Sequence, residues 1–221
     1  MKEEIIYENP LTQETDIADF VMEGKTICDF SEGFLKMENA ISSDAGQRAN
    51  YVLWCPEVFP DNIRISWEFK PIREPGLAML FFSARNRGGG SIFDGTLTPR
   101  TGEYVQYHHG EIDAFHVSYF RRKEPDERAF HTCNLRKSYG FHLVCQGADP
   151  LPDAAEDAEW YRISVEKRTE GVRFSINELL LFDYADDGVT YGGLLGEGRI
   201  GFRQLAPMIG GYRKLRVSKL S

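Results

Sequence analysis

Residues Ile63-Arg64-Ile65-Ser66-Trp67-Glu68-Phe69-Lys70 alternate apolar and polar side chains without a break. A period of two fits an extended strand with one dry and one wet face, and it does not fit a helix. The same period returns at Tyr161, Ile163 and Val165, and again at Val172, Phe174 and Ile176. Thr169-Glu170-Gly171 and Asn177-Glu178 turn the chain between these runs and Leu179-Leu180-Leu181-Phe182, which predicts a three-strand meander. Leu77-Ala78-Met79-Leu80-Phe81-Phe82 is short and apolar on both faces, as in a central strand covered on both sides. Two later strands are expected around residues 198–203 and 213–217.

Helical patterns are scarce. Asp153-Ala154-Ala155-Glu156-Asp157-Ala158 has helix-forming residues but no apolar stripe, so a turn or two in a loop is expected. Many short strands separated by turn signals predict an all-β sandwich or barrel. The 221 residues show no fixed-period repeat and no dividing linker, so one domain over residues 1–221 is expected. Three stretches read as long loops that carry function: 85–102, 121–140 and 147–152.

Charge narrows the function classes. The formal net charge is -8, which argues against general attraction to nucleic acid. No stretch approaches the ~20 apolar residues of a membrane span. The start of the chain has no apolar run of signal-peptide length, so a cytoplasmic protein is expected. Cys28, Cys55, Cys133 and Cys145 are widely spaced without a C-x-x-C pair; all four are expected to be reduced thiols. His108 and His109, read as neighbours on a strand, project to opposite faces and are not expected to share a metal. Gly88-Gly89-Gly90 lacks the Lys and Ser/Thr of a phosphate loop, and Asp186-Asp187-Gly188 reads as a turn. No metal and no cofactor are expected.

The meander 160–184, together with Gly198-Arg199-Ile200-Gly201-Phe202-Arg203 and Leu215-Arg216-Val217, resembles the second half of concanavalin A-like lectin and glucanase domains. The central block is more specific. His116 to Arg122, Cys133 to Ser138, Gly140-Phe141-His142 and Gly147-Ala148-Asp149-Pro150 resemble the uncharacterised bacterial YesU-like family over nearly the whole chain. The resemblance implies an all-β, two-sheet antiparallel jelly-roll sandwich, concanavalin A-like with galectin-like topology. It also implies a setting beside the degradation of pectin (rhamnogalacturonan). It supplies no catalytic residues.

Two groups of residues carry candidate chemistry. Glu111-Ile112-Asp113-Ala114-Phe115-His116 resembles the E-x-D-x-x-E strand of a family of retaining β-glucanases, in which the first Glu is the nucleophile. His116 stands where that family has its acid/base Glu. Glu111 and Asp113, about 6.6 Å apart along a strand, cannot flank a sugar bond by themselves. A one-residue bulge between Asp113 and His116 would bring His116 onto their face and send Ile112, Val117 and Tyr119 into the core. The bland alternative is two solvated carboxylates.

The second group gives an acidic chain a locally basic centre: Tyr107, His108, His109, His116, Tyr119, Arg121, Arg122, Arg128, Arg136, Lys137 and His142. Arginines hold carboxylates through paired hydrogen bonds, so a groove on the concave sheet would suit an acidic oligosaccharide. Binding is expected from His108, Asp113, Ser118, Tyr119, Arg122, Arg128, Arg136, Lys137 and His142. If His116 and Ser118 face this groove, Phe120 and Arg122 share their face. For processing as a glycoside hydrolase or polysaccharide lyase, His116, Tyr107 and Glu111 are the candidate catalytic residues. The alternatives are a lectin-like module or a structural domain whose bases pair with Glu124, Asp126 and Glu127.

Overall fold

The computed structural model describes residues 4–156 and 159–220. Its strands are β1 (Glu4–Asn9), β2 (Val21–Glu23), β3 (Thr26–Asp29), β4 (Leu35–Asn39), β5 (Tyr51–Trp54), β6 (Ile63–Arg73), β7 (Leu77–Asn86) and β8 (Ile112–Tyr119). They continue with β9 (Thr132–Ser138), β10 (His142–Ala148), β11 (Tyr161–Arg168), β12 (Gly171–Ile176), β13 (Leu179–Ala185), β14 (Arg199–Leu205) and β15 (Ile209–Lys219). Two short helices, α1 (Val105–His108) and α2 (Pro125–Ala129), lie in connections.

The strands form two antiparallel sheets. One has the order β13-β12-β11-β6-β15-β4-β3, with β1 also on β15; the other runs β10-β9-β8-β7-β14-β5-β2. The period-two runs explain the main core. β6 turns Ile63, Ile65, Trp67 and Phe69 toward the other sheet, where β8 answers with Phe115, Val117 and Tyr119. Trp67 Nε1 donates to Tyr119 Oη at 3.1 Å, so the buried indole and phenol satisfy each other. Phe69 meets the Tyr119 ring edge-on at 5.1 Å. Burying each such ring contributes about 1.5–3 kcal/mol.

β7 is covered on both faces, as its sequence predicts. Ala78, Leu80 and Phe82 enter the core between the sheets, while Leu77, Met79 and Phe81 join a second cluster on the sheet's other side. Segment 91–110 supplies the cover over that side, with Ile92 and Tyr107 seated against Trp54 and Phe81.

Three local expectations change. The stretch 121–140 is not one loop, because Thr132–Ser138 forms β9 between β8 and β10. His108 ends α1 and is not on a strand; its ring lies edge-on to His109, with their Nδ1 atoms in contact. The bulge falls in β7 and not in β8: Phe82 pairs with Phe115 and Arg85 with Asp113, while β8 pairs regularly with β9. β8 therefore alternates without interruption. Ile112, Ala114, His116 and Ser118 share the outer face of their sheet; Asp113, Phe115, Val117 and Tyr119 share the inner one. Of the 153–158 segment, 154–156 form a turn and 157–158 lie outside the described residues. All four cysteines are unbridged. Among the described residues, no helix is long and apolar enough to cross a membrane.

Candidate functional site

The outer side of β7 and β8, where His116 projects, is filled. His116 and Tyr107 are both 0% exposed. Tyr104 Oη lies 2.8 Å from His116 Nε2, while His116 Nδ1 and Tyr107 Oη have no hydrogen-bond partner among the described residues. Burial pushes the His116 imidazole well below its usual value near 6.5, with Arg136, His108 and Arg203 adding repulsion. Burial also lowers His108, to about 4. Both rings pack against Tyr104 and are held neutral.

Arg122 lies elsewhere, and the face shared by His116, Ser118, Phe120 and Arg122 does not form. Phe120 breaks the strand's extension with φ 48° and packs into the main core. The Arg122 guanidinium is fully buried. It bonds Asp149 Oδ2 at 3.0 Å, Asp153 Oδ1 at 2.8 Å and the Leu151 carbonyl at 2.7 Å. Arg128 donates to the carbonyls of Arg122 and Lys123, and Tyr119 spends its hydroxyl on Trp67. Ser118 is buried beside the Asn134 carbonyl. Arg136 stacks 3.9 Å from the Phe141 ring and donates to the Phe141 carbonyl.

Three of the expected binding residues do meet. Asp113, Lys137 and His142 line a cleft of about 390 Å³ at one end of the sandwich. The end of β7 contributes Arg85 and Arg87; the β9–β10 turn contributes Tyr139; the β13–β14 connection contributes Thr190 and Tyr191. Tyr139 and Tyr191 are 42% and 36% exposed and border the cleft with the parts of their rings that Arg87 and His142 leave open. Arg87 lies 3.9 Å over the Tyr139 ring and its Nε is 3.5 Å from Asp113 Oδ1. The Tyr139 amide also donates to Asp113 Oδ1, at 3.3 Å. His142 stacks against Tyr191 at 4.9 Å. Lys137 is not available to a ligand, since its ammonium bonds both Asp186 oxygens and the Gly192 carbonyl. Glu111 lies outside this cleft, with Oε2 accepting from the Thr98 amide at 2.7 Å.

Arg85, Arg87, Tyr139, Thr190 and Tyr191 were not singled out by sequence. They lie where a strand ends or in turns, where alternation gives no signal; the nearest one was the glycine-rich composition beside them, Gly88 to Gly90 and Gly192-Gly193.

A larger hollow, about 480 Å³, lies on the outer face of the other sheet. Its charges are used internally: Glu68 binds Arg213 and Lys214, and Glu8 binds Arg216. Its only aromatic residue, Trp67, is buried, so it offers no stacking surface.

Two twisted antiparallel sheets enclosing one aromatic core, with an aromatic and arginine-lined cleft at the loop end, define a concanavalin A-like, galectin-like β-sandwich. The chain belongs to the DUF1961 family, described as a domain of unknown function, whose match covers residues 4–217. It is 49% identical over 212 residues to the uncharacterized protein YesU of Bacillus subtilis (strain 168), covering 96% of this chain and 94% of YesU. It superimposes with a TM-score of 0.94 on a crystal structure from Bacillus subtilis of a protein of unknown function with a galectin-like fold. That pair shares 47% identity and covers 99% and 97% of the two chains. A carbohydrate-binding module of the CBM66 type from Bacillus subtilis has the same fold at 10% identity, with a TM-score of 0.57 over 90% of this chain and 95% of that one.

Proposed function

We propose that the protein binds an acidic oligosaccharide, of the kind released from pectin, in the cleft at the end of the sandwich. One observation carries the reading. Arg85 and Arg87 meet two exposed tyrosines in a cleft whose lining holds a single acid, Asp113, and that acid is already beside Arg87. A uronate offers what such a cleft lacks, a carboxylate for the guanidinium groups and a flat C–H face for the rings. The sugar-binding name of a module with the same fold and the YesU-like resemblance point the same way. The four unbridged cysteines suit a reducing, cytoplasmic setting.

Binding is favoured over hydrolysis because retaining and inverting hydrolysis both ordinarily need two carboxyl groups flanking the bond. A lyase reading has one feature in its favour: His142 and Tyr191 touch within the arginine-lined cleft, a base and an acid beside the group that would hold the carboxylate. Calorimetric titration with galacturonate and rhamnogalacturonan oligosaccharides tests the binding reading, with ultraviolet absorbance followed in parallel. Heat of binding without new absorbance supports a lectin-like module. New absorbance from an unsaturated uronate establishes the lyase. Absence of both signals removes acidic saccharides from consideration.

A further inference from the structure

A second cavity, of about 270 Å³, opens beside the end cleft and is lined by Thr98, Pro99, Val105, Gln106, His109 and Glu111, with Arg100 at its back. The two share a wall. The His109 ring, which lines the second cavity, lies edge-on to the Tyr139 ring of the first, with centroids 5.4 Å apart. The Arg87 amide donates to the Glu111 carbonyl at 2.9 Å, so the backbone of the same two segments runs along both.

Their charges are opposite. In the end cleft Arg85 and Arg87 outnumber Asp113, and Lys137 is neutralised by Asp186. In the second cavity Arg100 is neutralised by Glu23, at 2.6 Å with both side chains under a tenth exposed. Glu111 is the remaining charge there. It is exposed; its Oε2 is engaged by Thr98, and no hydrogen bond to its Oε1 occurs among the described residues. Val105, at 56% exposed, and Pro99 supply an apolar surface beside that acceptor.

We propose that the second cavity is a subsite for a neutral sugar joined to the uronate in the end cleft, and that Glu111 sets this specificity. The proposal rests on the reading of the end cleft as a uronate site. A neutral residue brings hydroxyl donors to Glu111 Oε1 and an apolar face to Val105. A second uronate in its place brings a carboxylate against Glu111. Glu111 is exposed, so two like charges at contact range there are screened almost as in bulk water, which amounts to about a three- to ten-fold loss of affinity, shrinking as salt rises.

The test is calorimetry on the full chain with three probes: galacturonate alone, digalacturonate, and disaccharides of galacturonate with rhamnose in both linkage orders. The expected result is that one mixed disaccharide binds about three- to ten-fold more tightly than digalacturonate. Glu111→Gln, which keeps an acceptor for the Thr98 amide, should bring the two within two-fold. Equal binding of both disaccharides in the parent protein, unchanged in Glu111→Gln, overturns the second subsite while leaving the uronate reading intact. Failure of galacturonate and every disaccharide to bind removes the uronate reading, and the subsite with it.

Discussion

Lys137 and Asp186 form an ion pair 2.7 Å long with each side chain only 2% exposed. The same ammonium donates to the Gly192 carbonyl at 3.0 Å. Lys137 thereby ties β9, in one sheet, to the connection that leaves β13 of the other sheet and carries Thr190 and Tyr191 over the cleft. Asp186 and Lys137 hold that rim without offering charge to a ligand.

Removing one member of this pair leaves the other buried and alone. Lys137→Met should lower the unfolding free energy by about 3–5 kcal/mol, measured by urea denaturation. Lys137→Met combined with Asp186→Leu should recover most of the loss, because two apolar side chains need no partner. A double variant no more stable than the single one would show that the pair's hydrogen bonds, and not the stranded charge, dominate.

Arg87 is exposed on one side and seated on Tyr139 on the other. Arg87→Ala should change stability by no more than about 0.5 kcal/mol, as for other surface substitutions. Loss of a charge-assisted hydrogen bond of about 1.5–3 kcal/mol should weaken uronate binding by about ten-fold or more. Calorimetry and thermal melting on the same sample separate the two effects. A variant that binds galacturonate as the parent does would remove Arg87 from the site.

Arg122 gives the opposite pattern. Its guanidinium is enclosed by Asp149, Asp153 and the Leu151 carbonyl, which fasten the segment after β10. Arg122→Met should cost about 3–5 kcal/mol of stability by stranding Asp149, which is itself buried. At a temperature where the variant is folded, its affinity for the saccharide should match the parent's. A specific loss of affinity at full stability would return Arg122 to the ligand.

The strands of the sandwich were legible because alternation is a local property. β6, β11 and β12 each have a dry face the sequence displays residue by residue, and β7 displays two. Which residues of β8 share a face was not legible, since the chain of β8 does not record that the extra residue lies across from it in β7. That single register choice separates Asp113 from His116 and turns His116 under Tyr104. Asp113, Lys137 and His142 could be nominated for their chemistry. Of their companions, Arg85 ends β7 while Arg87, Tyr139 and Tyr191 come from three separate connections, and only the pairing of the sheets brings those ends together. The arginine-rich centre misled for a related reason: Arg122 and its acids Asp149 and Asp153 are far apart in sequence, so their pairing is set by tertiary structure.

The buried His116 and the half-buried His108 give the fold a pH dependence whose sign follows from their burial. In the unfolded chain His116 and His108 take protons near pH 6.5. Folding pushes His116 well below that value and His108 to about 4. Above pH 6.5 both are neutral in both states and contribute no slope. As pH falls through 6.5 the unfolded chain gains protons the folded chain refuses, so stability falls. The slope approaches about 1.4 kcal/mol per pH unit for His116 alone. Asp29 and Asp187, both held near 2 in the folded state, change the slope only around and below the ordinary carboxylate range. Urea denaturation at pH 7, 6 and 5 should show the decline in the parent protein. His116→Gln, whose amide can still meet Tyr104 Oη, should be less stable at pH 7 but decline less steeply toward pH 5. Parallel curves for the two proteins would mean that His116 takes up its proton equally in both states, and that the cover of Tyr104 does not keep water from it.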